Sequence, residues 1–409
     1  MDDILKSIKN VLQFADKKNI YPSIYRIESA PTEPVVSIGQ KKVLMFSSNN
    51  YLGLANDSRI KDTVIEGVKK YGVGSGGSRL LSGNTDVQEE LEEKIASFKD
   101  SEAGITFLAG YMANTGGIPA LMNIPEISPI NILKKIVSLS SPAVIFSDEL
   151  NHASIVDGVR LSKAKKVIYK HLDLNHLENL LRKDRSKKRK LIITDGVFSM
   201  DGDIALLPGL IQLAESYNAT LFVDDAHGSG VLGKTGKGTF EYYNLSPNSN
   251  TIVMGTFTKA FGGIGGFIVG TKELIRYLRV TARTHVFSAP IPPALVMGLI
   301  KAIEIVGDSP ALPQQTMENA NYLRTELQGL GFNTLHSQTQ IIPVLIPDEN
   351  NCIRLSKLLL ERGIFAPSIR WPAVPKHKSR LRVTVMASHT KNHLDEFLQA
   401  ISESKKLSL

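Results

Sequence analysis

From residue 103 to residue 270 the chain repeats one pattern, a short apolar run followed by a segment of helix length. The runs are Ala103–Leu108, Ala143–Ser147, Lys166–Tyr169, Leu191–Thr194, Thr220–Val223, Thr251–Gly255 and Gly266–Val269. Strands this apolar are buried on both faces, and their alternation with helices predicts an α/β fold around a seven-stranded, mostly parallel sheet. In such sheets ligands bind beyond the carboxyl ends of the strands. Polar or glycine residues follow nearly every run, so the candidate site residues come from successive strand ends.

The flanks read differently. Ile4, Leu5, Ile8, Val11, Leu12 and Phe14 are close to helical spacing and predict an amphipathic helix over 2–20 that packs on another element. Val35–Ile38 and Val43–Phe46 read as a hairpin, and Ser58–Tyr71 as a helix leading into the glycine-rich Gly72–Arg79. Acidic and amide residues from Asp86 to Glu93 read as the exposed face of the next helix. Beyond Pro293 a helix (Ala294–Val306), two strands (Ile341–Ile346, Leu381–Val385) and a closing helix (His393–Ser404) predict a smaller α+β domain. The expected division is 1–50 as N-terminal helix and hairpin, 51–293 as the large domain and 294–409 as the small C-terminal domain.

Composition excludes several classes. One cysteine, Cys352, in 409 residues leaves no disulfide framework and no multi-cysteine metal site, and no metal is expected. The start, Met1–Lys6, lacks the features of a signal peptide, and a cytoplasmic location is expected. Val286–Val306 is apolar but is interrupted by three prolines, Lys301 and Glu304, so no integral membrane segment is expected. The basic cluster Lys183–Lys190 has no interleaved aromatic residues and reads as a solvated loop, not a nucleic-acid surface.

Lys259 follows the buried run at 251–254 among hydroxyls and small residues, in TFTKAFGG (256–263). Burial favours the neutral amine, a nucleophile able to form a Schiff base with an aldehyde cofactor such as pyridoxal 5'-phosphate (PLP). The other strand ends hold a matching set. Ala109, Gly110 and Tyr111 open a helix that can receive a phosphate, and Thr256 adds a hydroxyl. Asp224 can hold a ring nitrogen in its protonated form, His227 and Ser199 can donate to a phenolic oxygen, and His152 can stack on the ring. Two glycine patterns mislead. Gly228–Thr235 matches a phosphate-loop motif, but Gly236-Lys237-Gly238 after it cannot open a stable helix, and Gly72–Gly77 follows a helix where a strand is required.

Over nearly its whole length the chain resembles the α-oxoamine synthases, PLP-dependent transferases of fold type I. The matching segments are SNNYLGL (48–54), GSGGSRLLSGN (74–84), FLAGYMAN (107–114), FSDELNHASIVDG (146–158), DGVFSMDGD (195–203), VDDAHGSGVLGKTGKG (223–238), TFTKAFGG (256–263) and RLRVTVMASHT (380–390). The resemblance implies that Lys259 carries PLP and moves the substrate α-proton, that His152 stacks, and that Asp224 binds the ring nitrogen. It further implies that His227 and Ser199 bind the phenolic oxygen and Thr256 the phosphate. Ser288 is expected to reach the phosphate of a neighbouring subunit, in a homodimer with the active site at the interface. Arg382, helped by Asn49, is expected to bind the amino-acid carboxylate, with Arg370 as a further substrate contact.

The implied reaction condenses alanine, glycine or serine with an acyl-CoA or acyl-carrier thioester, usually with decarboxylation, to an α-amino ketone. GSGGSRLLSGN and Ser368-Ile369-Arg370 look most like the members that join alanine to a pimeloyl group. Members using glycine with an acetyl group or serine with a palmitoyl group, and partner subunits without chemistry, stay open as alternatives. Two departures bear on this choice. Trp371 stands where a smaller residue is usual, and the stretch 123–142 is longer than usual, reading as an extra surface helix or a cover over an acyl route.

Overall fold

The computed structural model describes residues 3–17, 24–125, 143–184 and 189–408. A hairpin, β1 (Val35–Ile38) and β2 (Lys41–Met45), precedes the main sheet. The sheet contains β3 (Ala103–Phe107), β4 (Ala143–Asp148), β5 (Lys165–Tyr169), β6 (Arg189–Asp195), β7 (Ala219–Asp224), β8 (Thr251–Thr256) and β9 (Gly266–Gly270). Its order is β3-β9-β8-β7-β6-β4-β5, and only β9 runs against its neighbours. The predicted seven-stranded, mostly parallel α/β sheet is therefore present. β4, β8 and β9 are buried along their whole length, as their unbroken apolar character requires.

Two cores do not divide at residue 293. The helix Pro293–Asp308, expected to open the small domain, packs Val296, Leu299, Ile303 and Val306 into the main core beside Leu91 and Ile95. The physical reason is close helix contact. A β-carbon on Gly67, in the helix Ser58–Tyr71, would lie 2.7 Å from Ala294 Cα, and one on Gly298 would lie 2.6 Å from Val64 Cγ2. The hairpin, expected to stand apart, joins the second core. Leu44 and Phe46 pack with Leu323, Val344, Leu355, Val383 and Phe397, and β2 pairs in parallel with β11 (Ile364–Phe365). In that second unit β10 (Ile341–Leu345) and β12 (Ser368–Ile369) flank β13 (Arg380–Thr384), both antiparallel to it.

Two further expectations are corrected. The first helix spans Ile4–Lys17, but no residue of it is buried, and Ile4 is 75% exposed, so it packs on nothing described in this protomer. In the helix Asp86–Phe98 the acidic face is not all outward, because Gln88 and Glu92 are buried. Glu92 receives Arg79 at 2.8 and 3.2 Å and Arg279 at 2.6 Å. Burial opposes its ionisation, but the two guanidiniums hold its carboxyl below the ordinary value. The stretch 126–142 and residues 185–188 of the basic cluster lie outside the described residues.

The loop after β6 is fixed from both sides. Arg380 Nη1 donates to Asp201 at 2.7 Å and to the Met200 carbonyl at 3.1 Å, while His171 bridges Asp148 at 3.0 Å and Asp203 at 2.9 Å. The His171 ring meets Phe198 edge-on. Burial opposes protonation of His171, but hydrogen bonds to the two carboxylates raise its pKa from 6.5 to about 10. A folded-state pKa above the unfolded one stabilises fully below pH 6.5, and that contribution is lost as pH rises through about 10. The difference in denaturation midpoint between the parent protein and His171→Gln is therefore expected to be largest below pH 6.5 and to shrink as pH rises through about 10; a constant difference contradicts the charged bridge.

Candidate active site

The parallel register of β6 and β7 sets Asp195 opposite Asp224. Both are buried. Asp224 Oδ1 accepts the Ala226 N–H at 3.1 Å and Oδ2 accepts Asn114 Nδ2 at 2.7 Å. Asp195 accepts the His152 N–H at 2.8 Å. Burial, reinforced by the charge of Asp224, pushes Asp195 well above the carboxylate range. That shift favours the protonated form of Asp195.

Lys259 lies after β8, facing this pair. Burial drives its amine down to about 8, against the pull of Asp224 and Asp195. It therefore has a usable neutral fraction near neutral pH. His152 caps the helix Ala153–Ser162, its Nδ1 accepting the Ser154 N–H at 3.2 Å, while the ring itself stays exposed. It is both a helix cap and an open flat surface.

The helix Gly110–Met122 begins directly on the end of β8. A β-carbon on Gly110 would sit 3.2 Å from Met254 Cε, Thr256 Cβ and Thr256 Oγ1, so the glycine is what permits this approach. The first-turn N–H groups of a helix lack partners within it and form an anion site beside Thr256. The Tyr111 hydroxyl donates to Asp157. The Thr256 hydroxyl donates to the Gly265 carbonyl at 2.7 Å and accepts the Thr258 N–H at 3.2 Å.

A second network closes the site. Arg382 donates through Nε to the Ser199 carbonyl at 2.7 Å and through Nη2 to Asn49 Oδ1 at 3.3 Å. The Tyr51 hydroxyl lies 3.0 Å from Asn49 Oδ1 and 2.7 Å from His227 Nδ1. Burial, then the charge of Lys259, holds His227 well below its ordinary pKa, as the neutral imidazole. A cleft of about 360 Å³ opens next to Ser199, between Phe198–Asp201 and Ala373–Pro375.

The structure thus brings Lys259, Asp224, His152, His227, Arg382 and Asn49 together, with Ala109, Gly110 and Thr256 alongside. Two expected residues are held on separate segments of the protomer. Ser288 donates to the Thr284 carbonyl of its own segment, and Arg370 follows β12, its charge acting on buried Cys352 in the second core. Nothing in the sequence singles out Tyr51, Asn114 or Ser154, and Asp195 is a further residue of the site. Asp195 directly follows the apolar run Leu191–Thr194 and so stands at a strand end like the others. The false phosphate loop also has an explanation. Its backbone wraps the buried Lys99–Asp225 pair (2.7 Å), and β-carbons on Gly228 and Gly238 would collide with the Asp225 carboxylate.

The donor set suits PLP: a lysine with a depressed pKa, a buried carboxylate, a helix start cleared by glycine, and an exposed imidazole face. No metal-binding group of histidine, cysteine and acidic residues occurs among the described residues. The family model of class I and II aminotransferases matches residues 41–401. The 8-amino-7-oxononanoate synthase of Thermoanaerobacter pseudethanolicus is 45% identical over 98% of this chain and 97% of its own length. That of Lysinibacillus sphaericus is 44% identical over 93% of both. Among solved structures, Sphingomonas wittichii serine palmitoyltransferase superposes with a TM-score of 0.90 at 26% identity, covering 100% of this chain and 99% of the other. Francisella tularensis 8-amino-7-oxononanoate synthase gives 0.74 at 27% identity, covering 89% and 98%.

The shifted amine makes a kinetic prediction. The rate at which cofactor-free protein takes up added PLP, followed by visible absorbance, is expected to rise with pH through about 8 and then level off; a lysine of ordinary acidity gives a rise continuing to 10.5.

Proposed function

Because the chain belongs to the class I and II aminotransferase family, we propose that it is a PLP-dependent α-oxoamine synthase condensing alanine with a pimeloyl thioester to 8-amino-7-oxononanoate, carbon dioxide and free thiol. The observation that carries this reading is end-to-end similarity at 45% identity, coinciding with the gathered Lys259, Asp224 and His152. PLP, when bound, supplies an electron sink for the charge left on the amino acid when its α-proton departs.

The chain's own residues do the rest. Lys259 anchors the cofactor and, once freed, takes the α-proton with its neutral amine and later returns one. Asp224, fixed by Asn114, holds a proton on the ring nitrogen. His227 Nδ1 faces the Tyr51 hydroxyl, and its Nε2, with the Ser199 hydroxyl, is the proposed contact to the phenolic oxygen; donation from Nε2 requires Tyr51 to turn its hydrogen from Asn49 to Nδ1. Arg382, already oriented by the Ser199 carbonyl and Asn49, grips the amino-acid carboxylate. The helix start at Gly110 holds the phosphate, and Thr256 joins it by turning its hydroxyl from the Gly265 carbonyl.

The proposed assembly is a homodimer in which Ser288 completes the partner's phosphate site. No helix among the described residues is long and apolar enough to cross a membrane, and the proposed location is the cytoplasm. Acyl-CoA and acyl-carrier thioesters both fit the scheme, and Arg370 is retained as a proposed substrate contact. A second reading, serine or glycine with a different acyl group, is favoured by one feature. Trp371, 56% exposed, stands two residues before the cleft wall at Ala373. A partner subunit without chemistry accords poorly with the complete Lys259 environment.

The test is a matrix of alanine, glycine and serine against acyl-CoAs of increasing length, read by thiol release. Alanine with pimeloyl-CoA is expected to dominate, and Lys259→Ala is expected to lower turnover at least ~10³-fold. Preference for serine with a long acyl chain overturns the substrate choice, and an active Lys259→Ala enzyme overturns the whole scheme.

A further inference from the structure

Behind His152 and Asp224 lies a chain of hydrogen bonds that the scheme above does not use. His152 Nδ1 lies 2.7 Å from Ser154 Oγ and accepts the Ser154 backbone N–H at 3.2 Å. Ser154 Oγ is 2.8 Å from Asn114 Nδ2, and the same nitrogen is 2.7 Å from Asp224 Oδ2. Ser154 and Asn114 are fully enclosed. Gly158 makes the arrangement possible, because a β-carbon there would lie 2.8 Å from the Asn114 carbonyl and force the two helices apart.

Each proton in this chain has only one place to go. A backbone N–H can only donate, so His152 Nδ1 must be the acceptor and carries no hydrogen. The Ser154 hydroxyl therefore donates to Nδ1 and accepts from Asn114. An amide oxygen turned toward Asp224 would face a carboxylate, so Asn114 must present its NH₂, whose two hydrogens serve Asp224 and Ser154. The Asn114 oxygen is left buried without a partner, which shows that the NH₂ contacts set the orientation.

We propose that Ser154 and Asn114 are positioning residues that lock His152 in the tautomer with its hydrogen on Nε2. Desolvation on the side packed against the protein, helped by Lys259 and opposed by Asp224, lowers the pKa of His152 and favours the neutral ring. Nε2 has no hydrogen-bond partner among the described residues, which leaves its N–H available to a ligand, and the residue is exposed. Resting on the proposed condensation, that N–H is the donor to the thioester carbonyl oxygen, where negative charge develops as the new carbon–carbon bond forms. The wrong tautomer would present a lone pair to that oxygen instead.

The test is long-range ¹H–¹⁵N correlation on PLP-loaded, histidine-labelled protein, with His152 identified by its loss in His152→Gln. The expected spectrum has Nδ1 unprotonated and Nε2 protonated. Ser154→Ala is expected to move the Nδ1 resonance and to lower kcat about tenfold or more, a modest share of what a positioned proton donor contributes, with KM for the amino acid unchanged. Ser154→Thr, which keeps the hydroxyl, is expected to restore both. A proton on Nδ1 in the parent protein, or a Ser154→Ala spectrum identical to the parent, overturns the proposal. The spectrum of the parent protein decides even if a variant fails to fold. The tautomer readout does not depend on which acyl thioester is the substrate, so failure of the condensation reading leaves it standing.

Discussion

The site depends on one consequence of parallel register: β6 and β7 end together, so Asp195 and Asp224 emerge side by side at the buried edge of the sheet. Two carboxylates cannot both stay ionised there without compensation. The surrounding residues read as a response to that constraint. Asp195 is driven toward its protonated form, Asn114 and the Ala226 N–H support Asp224, and the cation of Lys259 stands opposite. The same geometry lowers the lysine pKa only partway, leaving an amine that can be protonated or free near neutral pH. A cofactor anchor that must also move a proton needs that balance.

The second unit supplies the proposed amino-acid end of the site. Arg380 and Arg382 are two apart on β13 and so share a face, and both reach the loop that follows β6. Arg380 is neutralised by Asp201, which fixes the loop, while Arg382 is hydrogen-bonded to neutral oxygens, among them the Ser199 carbonyl and Asn49 Oδ1. The difference separates structure from function on one strand. A guanidinium already paired with a carboxylate holds the fold together, and one held by neutral acceptors keeps its charge available for an incoming carboxylate.

Much of this was legible in the sequence because it follows from short-range rules. Buried strands show as apolar runs, and the rule that ligands sit beyond their carboxyl ends led directly to Asp224, His227, Thr256 and Lys259. What escaped was set by tertiary packing. Asn114 and Ser154 lie inside helices, where a polar residue facing inward looks the same in sequence as one facing water. Glu92 was read as exposed for that reason, since nothing local records that Arg79 and Arg279 converge on it. The helix Pro293–Asp308 was assigned to the wrong core because only the glycines at 67 and 298 reveal how closely it approaches its neighbour, and a glycine alone does not name its partner. The phosphate-loop pattern at 228–235 failed in the opposite sense, its glycines serving a buried ion pair and not an anion.

The central claim is that Lys259, Asp224 and His152 face a single PLP molecule. A crystal structure of the protein saturated with PLP tests it most directly. The account predicts continuous density from Lys259 Nζ to the cofactor, the ring nitrogen within hydrogen-bonding distance of the Asp224 carboxylate, the His152 ring over the cofactor face and the phosphate at the helix start by Gly110. PLP joined to another lysine, or a ring nitrogen turned away from Asp224, contradicts it.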